Sequence, residues 1–199
     1  MRARTRGCKP VAVAVTGGIG AGKSEALRAF ARHGAATISS DDIVHQLLRS
    51  DEEVLSALAA RWGGRVVGPD GADREAIAGI VFADAEELAW LEQLLHPRVL
   101  REYRAWRRAV DEGPEPPKVT VAEIPLLYET GGEQRFDVVV AITAPPELRR
   151  KRGRVQDDAR ERRLIPDEEK VRRADFAYVN DGTLEELDAF VAAVMAHLA

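Results

Sequence analysis

A short apolar run, Val11-Ala-Val-Ala-Val15, leads directly into Thr16-Gly17-Gly18-Ile19-Gly20-Ala21-Gly22-Lys23-Ser24. An unbroken apolar run closed by glycine suits a strand buried on both faces, as in a parallel sheet. The glycines let successive backbone N–H groups turn inward around an anion, because no Cβ blocks the dihedrals this requires. From Ser24 to His33, the residues Ala26, Leu27, Phe30 and Ala31 recur at helical spacing, and Gly34 supplies a stop. Strand, glycine loop and helix in that order place a polyphosphate at a helix N-terminus. The spacing fits G-x-x-x-x-G-K-[ST] and assigns Gly18, Ile19, Gly20, Ala21, Gly22, Lys23, Ser24 and Glu25 to binding a nucleoside triphosphate. Lys23 can reach the β- and γ-phosphates, and the Ser24 hydroxyl can ligate Mg²⁺.

The rest of the chain alternates strands with helices. Ala35 to Ile38 reads as a second strand, followed by Ser39-Ser40-Asp41-Asp42, any of which can cap a helix from Ile43 to Arg49. Asp51 to Trp62 is a further helix ended by Gly63-Gly64, and Val66 to Gly71 holds a Pro-Asp-Gly turn. Arg74 to Val110 is helical with a break near Pro97, and Glu112 to Pro117 is a loop and subdomain boundary. Val119 to Ile124 and Asp137 to Ile142 are buried strands, and Pro145-Pro146 starts a helix. Ala177 to Val179 is a last strand, and Leu184 to Leu198 an amphipathic closing helix. The pattern predicts an α/β fold, a parallel sheet covered on both faces, with its site at the carboxyl ends of the strands.

Bulk properties exclude several classes. A net charge of −4, from 29 basic and 33 acidic residues, argues against a general nucleic-acid binder. The single cysteine, Cys8, permits no internal disulfide and fits a cytoplasmic home. No stretch reaches bilayer-spanning length, so no membrane partner is expected. The basic start, Met1 to Gly7, resembles a signal n-region, but the apolar run behind it continues into the phosphate loop and is a strand instead.

Several side chains can carry chemistry. Asp41, at the tip of the second strand, can take a proton from an attacking hydroxyl or simply cap a helix, and spacing does not separate the two. Glu123, ending the third strand, can hold a metal-bound water or stand as a solvated strand end. The Arg149 to Arg173 stretch, interleaved with acids, reads mostly as a solvated helix face. A few of its arginines can instead fold over the triphosphate, Arg152 and Arg154 first and Arg160 next. His96, before Pro97, reads as a structural hydrogen-bonder, and His33, His45 and His197 as surface residues. No Cys/His cluster has zinc-ligand spacing.

Beyond these local readings, the chain resembles the dephospho-coenzyme A kinase family from Val11 onward. The resemblance rests on Val15 to Ser24, Asp41-Asp-Ile-Val-His45, Asp70-Gly-Ala-Asp-Arg74, Val81-Phe82 and Leu94-Leu-His-Pro97. It continues in Ile124-Pro-Leu-Leu-Tyr-Glu129, Phe136-Asp137, Arg173-Ala-Asp175 and Asn180. It implies transfer of the ATP γ-phosphate, with Mg²⁺, to the ribose 3′-hydroxyl of dephospho-coenzyme A. It implies a P-loop three-layer sandwich: a tail over residues 1–10, then one kinase domain over 11–199. Within that domain it expects a helical coenzyme-A-binding insertion at about 51–117 and a short lid at about 153–166. Asp41, Lys23 and Arg152 take the catalytic places, Asn180 joins the ATP site, and Arg74, His96, Glu123 and Leu126 fall to the substrate. ATP and dephospho-coenzyme A are the expected partners, and the chain is expected to be a monomer or weak homo-oligomer.

Three features depart from the family's habit. Ser39 replaces a usual aspartate and Glu123 another, and the stretch from Arg152 to Ala174 is shorter by about two helical turns, with Leu164 where glutamine is common. A kinase of another small molecule, or a non-catalytic nucleotide-binding regulator, stays open at this level.

Overall fold

The first strand occupies the centre of a five-stranded parallel sheet in the computed structural model, which describes residues 9–152 and 164–198. The expected tail up to Cys8, lid residues 153–163 and the arginines Arg154 and Arg160 lie outside the described residues.

β1 (Val11–Thr16) pairs with β5 (Val119–Glu123) on one side and β6 (Val138–Thr143) on the other. β2 (Ala36–Ser39) and β7 (Phe176–Val179) form the edges, giving the order β2-β5-β1-β6-β7. Registers align the strand ends: Glu123 lies opposite both Val15 and Ser39, and Thr143 opposite Val179. From β1 the chain crosses out to the edge strand β2 and then returns through β5 to β6 and β7, so its winding reverses direction, and α/β sheets bind ligands at such reversals.

The period of two sends alternate β1 side chains to different faces. Val13 and Val15 join Phe30, Val121, Val140, Ile142, Leu187 and Val191 in one core, under α1 (Lys23–Arg32) and α8 (Leu184–Leu198). Ala14 joins Leu127, Tyr128 and Val139 on the other face, with Ile165 and Ala174 packed against them. Pro146–Lys151 forms α6 and Asp167–Arg173 forms α7. No helix among the described residues is long and apolar enough to cross a membrane.

The chain divides into two compact units, Met1–Ser39 with Arg107–Ala199, and Ser40–Trp106. The second contains α2 (Ser40–Ser50), α3 (Glu52–Trp62), a small antiparallel hairpin of β3 (Val67–Gly68) and β4 (Gly71–Ala72), and α4 (Arg74–Ala83). Carboxylates start two of its helices: Asp51 accepts from the Val54 N–H at 2.9 Å, and Asp73 from those of Glu75 and Ala76 at 3.0 Å.

The expected break near Pro97 is not there. Pro97 lies inside α5 (Ala85–Asp111), and the interruption falls at Asp84, whose carboxylate accepts from the Glu86 N–H at 2.8 Å. A proline removes only one helical hydrogen bond, a loss a long packed helix can absorb. The Arg98 guanidinium also donates to the Leu94 carbonyl at 2.8 Å in the turn the ring disturbs.

Candidate active site

The loop between β1 and α1 owes its path to backbone that only glycine adopts without strain. Gly17 has φ +143°, and a Cβ there would stand 1.8 Å from the Ile142 carbonyl oxygen. Gly22 has φ +100° and leaves room for the Asn180 amide, whose Nδ2 donates to the Ala21 carbonyl at 2.8 Å. Asn180 is buried, and its own N–H donates to the Thr143 carbonyl at 2.7 Å, fixing it to the end of β6. Arg152, just past α6, donates to the carbonyls of Gly20 and Asn180, each at 3.2 Å. The second half of the loop is therefore held by Asn180 and Arg152.

Lys23 is buried, and its Nζ donates to the Gly18 carbonyl at 2.9 Å, curled back over the loop. Ile19 is half-buried beside it. Ser24 is exposed, and its hydroxyl donates to Glu123 Oε1 at 3.3 Å. Glu123 is 4% exposed, which removes the solvated strand end as a description of it. A hydroxyl and a carboxylate set side by side offer the hard oxygen donors that Mg²⁺ prefers. Glu25 points outward to Arg28 and Arg32, and the Arg28 guanidinium draws its carboxyl below the ordinary range.

Leu126 is half-buried in the turn after β5, where its carbonyl accepts from the Thr130 hydroxyl at 2.8 Å. It shares a unit with residues 18–25, Glu123, Arg152 and Asn180. Asp41, Arg74 and His96 belong to the other unit, and all three are exposed. α2 begins at Ser40, so Asp41 and Asp42 lie inside its first turn instead of capping it. Carboxylates are favoured there by the helix dipole. Arg74 opens α4 behind the Asp73 cap, and His96 lies mid-way along α5.

Of the residues that composition had dispersed over a solvated face, Lys170 turns out to be inside and Arg149 and Asp167 half-buried. Lys170 is fully buried, with Nζ 2.9 Å from Glu129 Oε1 and 3.4 Å from the Pro125 carbonyl. The same Glu129 oxygen accepts from the Ile165 N–H at 2.9 Å. Arg149 and Asp167 both stand against Gly18. Burial pushes the Asp167 carboxyl above its ordinary range, against the pull of Arg149. The available signal was Glu129 itself, an acid closing the apolar run Pro125-Leu-Leu-Tyr128 and in need of a cation.

Sheet order and loop together define the class: a P-loop kinase, its parallel sheet flanked by helices and its central strand running into a phosphate cradle. The sequence profile of the dephospho-CoA kinase family matches residues 11–186, and the chain belongs to that family. The dephospho-CoA kinase of Streptomyces avermitilis is 38% identical, the match covering 94% of this chain and 93% of that one. The dephospho-CoA kinase of Corynebacterium glutamicum is 33% identical, over 94% and 96%. Among solved structures, TT1252 from Thermus thermophilus superposes with a TM-score of 0.77 at 33% identity, over 96% of this chain and 100% of that one. Dephospho-CoA kinase from Campylobacter jejuni does so with 0.67 at 25% identity, over 96% and 99%.

Proposed function

We propose that this chain performs its family's reaction, moving the γ-phosphate of ATP to the ribose 3′-hydroxyl of dephospho-coenzyme A and giving coenzyme A and ADP. The observation that carries the reading is the family match along residues 11–186, which takes in every residue given a role below.

The loop amides and Lys23 gather the β- and γ-phosphates, Lys23 exchanging the Gly18 carbonyl for phosphate oxygen. Ser24 and Glu123 would hold Mg²⁺, which when bound neutralises charge on the β- and γ-oxygens. Asp41 accepts the proton of the 3′-hydroxyl as its oxygen bonds to the γ-phosphorus and the bond to the bridging oxygen breaks, ADP leaving. Arg152, braced on Gly20 and Asn180, balances charge in the transition state. The insertion expected at about 51–117 binds coenzyme A, with Arg74 and His96 as its contacts, and Leu126 is a further substrate residue. We place the protein in the cytoplasm as a monomer or weak homo-oligomer, away from nucleic acid and membranes.

The test is ADP release from Mg·ATP coupled to product detection, with dephospho-coenzyme A beside adenosine, AMP and shikimate as acceptors. Coenzyme A formation with dephospho-coenzyme A alone is expected. ATP binding without turnover of any acceptor would replace the kinase with a nucleotide-binding regulator.

A further inference from the structure

Three charged side chains converge on one glycine of the phosphate loop. Lys23 donates to the Gly18 carbonyl at 2.9 Å. A Cβ built on Gly18 would lie 2.8 Å from Arg149 Nη1 and 3.0 Å from each carboxylate oxygen of Asp167. Arg149 comes from α6 and Asp167 opens α7, with side chains only 13% and 22% exposed. A cleft of about 600 Å³ opens beside them, lined also by Thr143, Ile165 and Val179.

We propose that Arg149 is a second phosphate-contacting arginine, held over Gly18 by Asp167 until the terminal phosphate of ATP takes Asp167's place. The inference rests on the phosphoryl-transfer reading above. Arg149 lies in the last turn of α6 and Arg152 three positions on, just past its end. Arg152 reaches Gly20 while Arg149 reaches Gly18, so the two guanidinium groups flank the loop. The Arg149–Asp167 pair is loose, with Nη1 3.9 Å from Oδ2, too long for a hydrogen bond. An incoming phosphate offers stronger, bidentate acceptance, which a planar guanidinium fork matches better than an ammonium does. Lys23, on the same glycine, is the residue that meets the β- and γ-phosphates, so a cation at Gly18 lies at the transferring end of the nucleotide. Arg149 is thus a catalytic residue supplied in cis, and Asp167 is its positioning residue.

Opposite signs in two variants test the exchange. ATP and ADP affinities are measured by calorimetry on the full chain with Mg²⁺, alongside kcat and KM, for wild type, R149A, R149K and D167N. R149A is expected to weaken ATP roughly tenfold or more while changing ADP little, and to lower kcat roughly a hundredfold. R149K keeps part of both. D167N should tighten ATP, because a competing carboxylate has gone. A pair that only braces the fold would move ATP and ADP together and give both variants the same sign. An unchanged ATP-to-ADP ratio in R149A, or D167N weakening ATP as R149A does, overturns the proposal. If R149A does not fold, R149K and D167N decide by the same signs. Wild type that forms no coenzyme A would sink the functional reading, while the ATP and ADP comparison would still judge Arg149.

Discussion

The Ser24 hydroxyl donates to Glu123 Oε1 at 3.3 Å, joining the first turn of α1 to the last residue of β5. Glu123 lies opposite Val15 in the neighbouring strand, so the sheet register itself sets this contact. A buried carboxylate facing an exposed hydroxyl is a poor structural hydrogen bond and a good half of a cation site.

Glu123→Gln therefore should raise the Mg²⁺ concentration needed for half-maximal turnover, with kcat falling roughly tenfold or more. Glu123→Asp should keep most of the activity, since the charge stays. A Mg²⁺ titration of turnover checks both. An unchanged Mg²⁺ requirement in the Gln variant would remove Glu123 from the metal.

Asp41→Asn should lower kcat roughly a hundredfold to ten-thousandfold, the span usual for a lost general base. Its ATP affinity should stay near wild type, because the phosphates are gathered by the loop and Lys23. Asp41 is exposed in the first turn of α2, so the change should leave thermal melting nearly untouched. Steady-state kinetics beside calorimetry with ATP would settle it. An affinity loss as large as that of Lys23→Ala would count against the role.

The parts legible in the sequence are those governed by near neighbours. The glycine loop, the strands behind and beside it, the Gly34 stop and the closing helix all follow from local period and backbone freedom. Pro97 misled because its local penalty is outweighed by the packing of a long helix, while Asp84 supplies the real start signal. Lys170 was unreadable for a different reason. A charged residue counts as surface until its partner is known, and Lys170 finds Glu129 only after β6, α6 and α7 have folded back across the sheet. Arg149 and Arg152 are indistinguishable as letters. Their places in the fold, Arg149 in the last turn of α6 and Arg152 just past it, send one to Gly18 and the other to Gly20.

Lys170→Met should be strongly destabilising, by about 3–5 kcal/mol, because it removes the buried cation paired with the Glu129 carboxylate. Lys170→Met with Glu129→Gln should recover much of the loss, since a neutral amide can still accept from the Ile165 N–H. Denaturant melts of the single and double variants measure the coupling. Additive losses would mean the two charges contribute separately.

Asp167 gives the pH dependence a sign. Burial is the largest influence on its carboxyl and raises it, against the opposing pull of Arg149, Lys170 and Lys23. The folded chain therefore binds this proton more tightly than the unfolded chain does. The stability it contributes is fully present below the unfolded value, near an ordinary aspartate's roughly 3.9, and is lost as pH rises through the folded value. At neutral pH the ionised group is a cost, which Asp167→Asn removes. The variant should melt above wild type at neutral pH, and the gap should close as pH falls toward the ordinary aspartate range. Melting temperatures across that interval decide it. A wild type more stable than the variant at neutral pH would show that the three surrounding cations outweigh the burial.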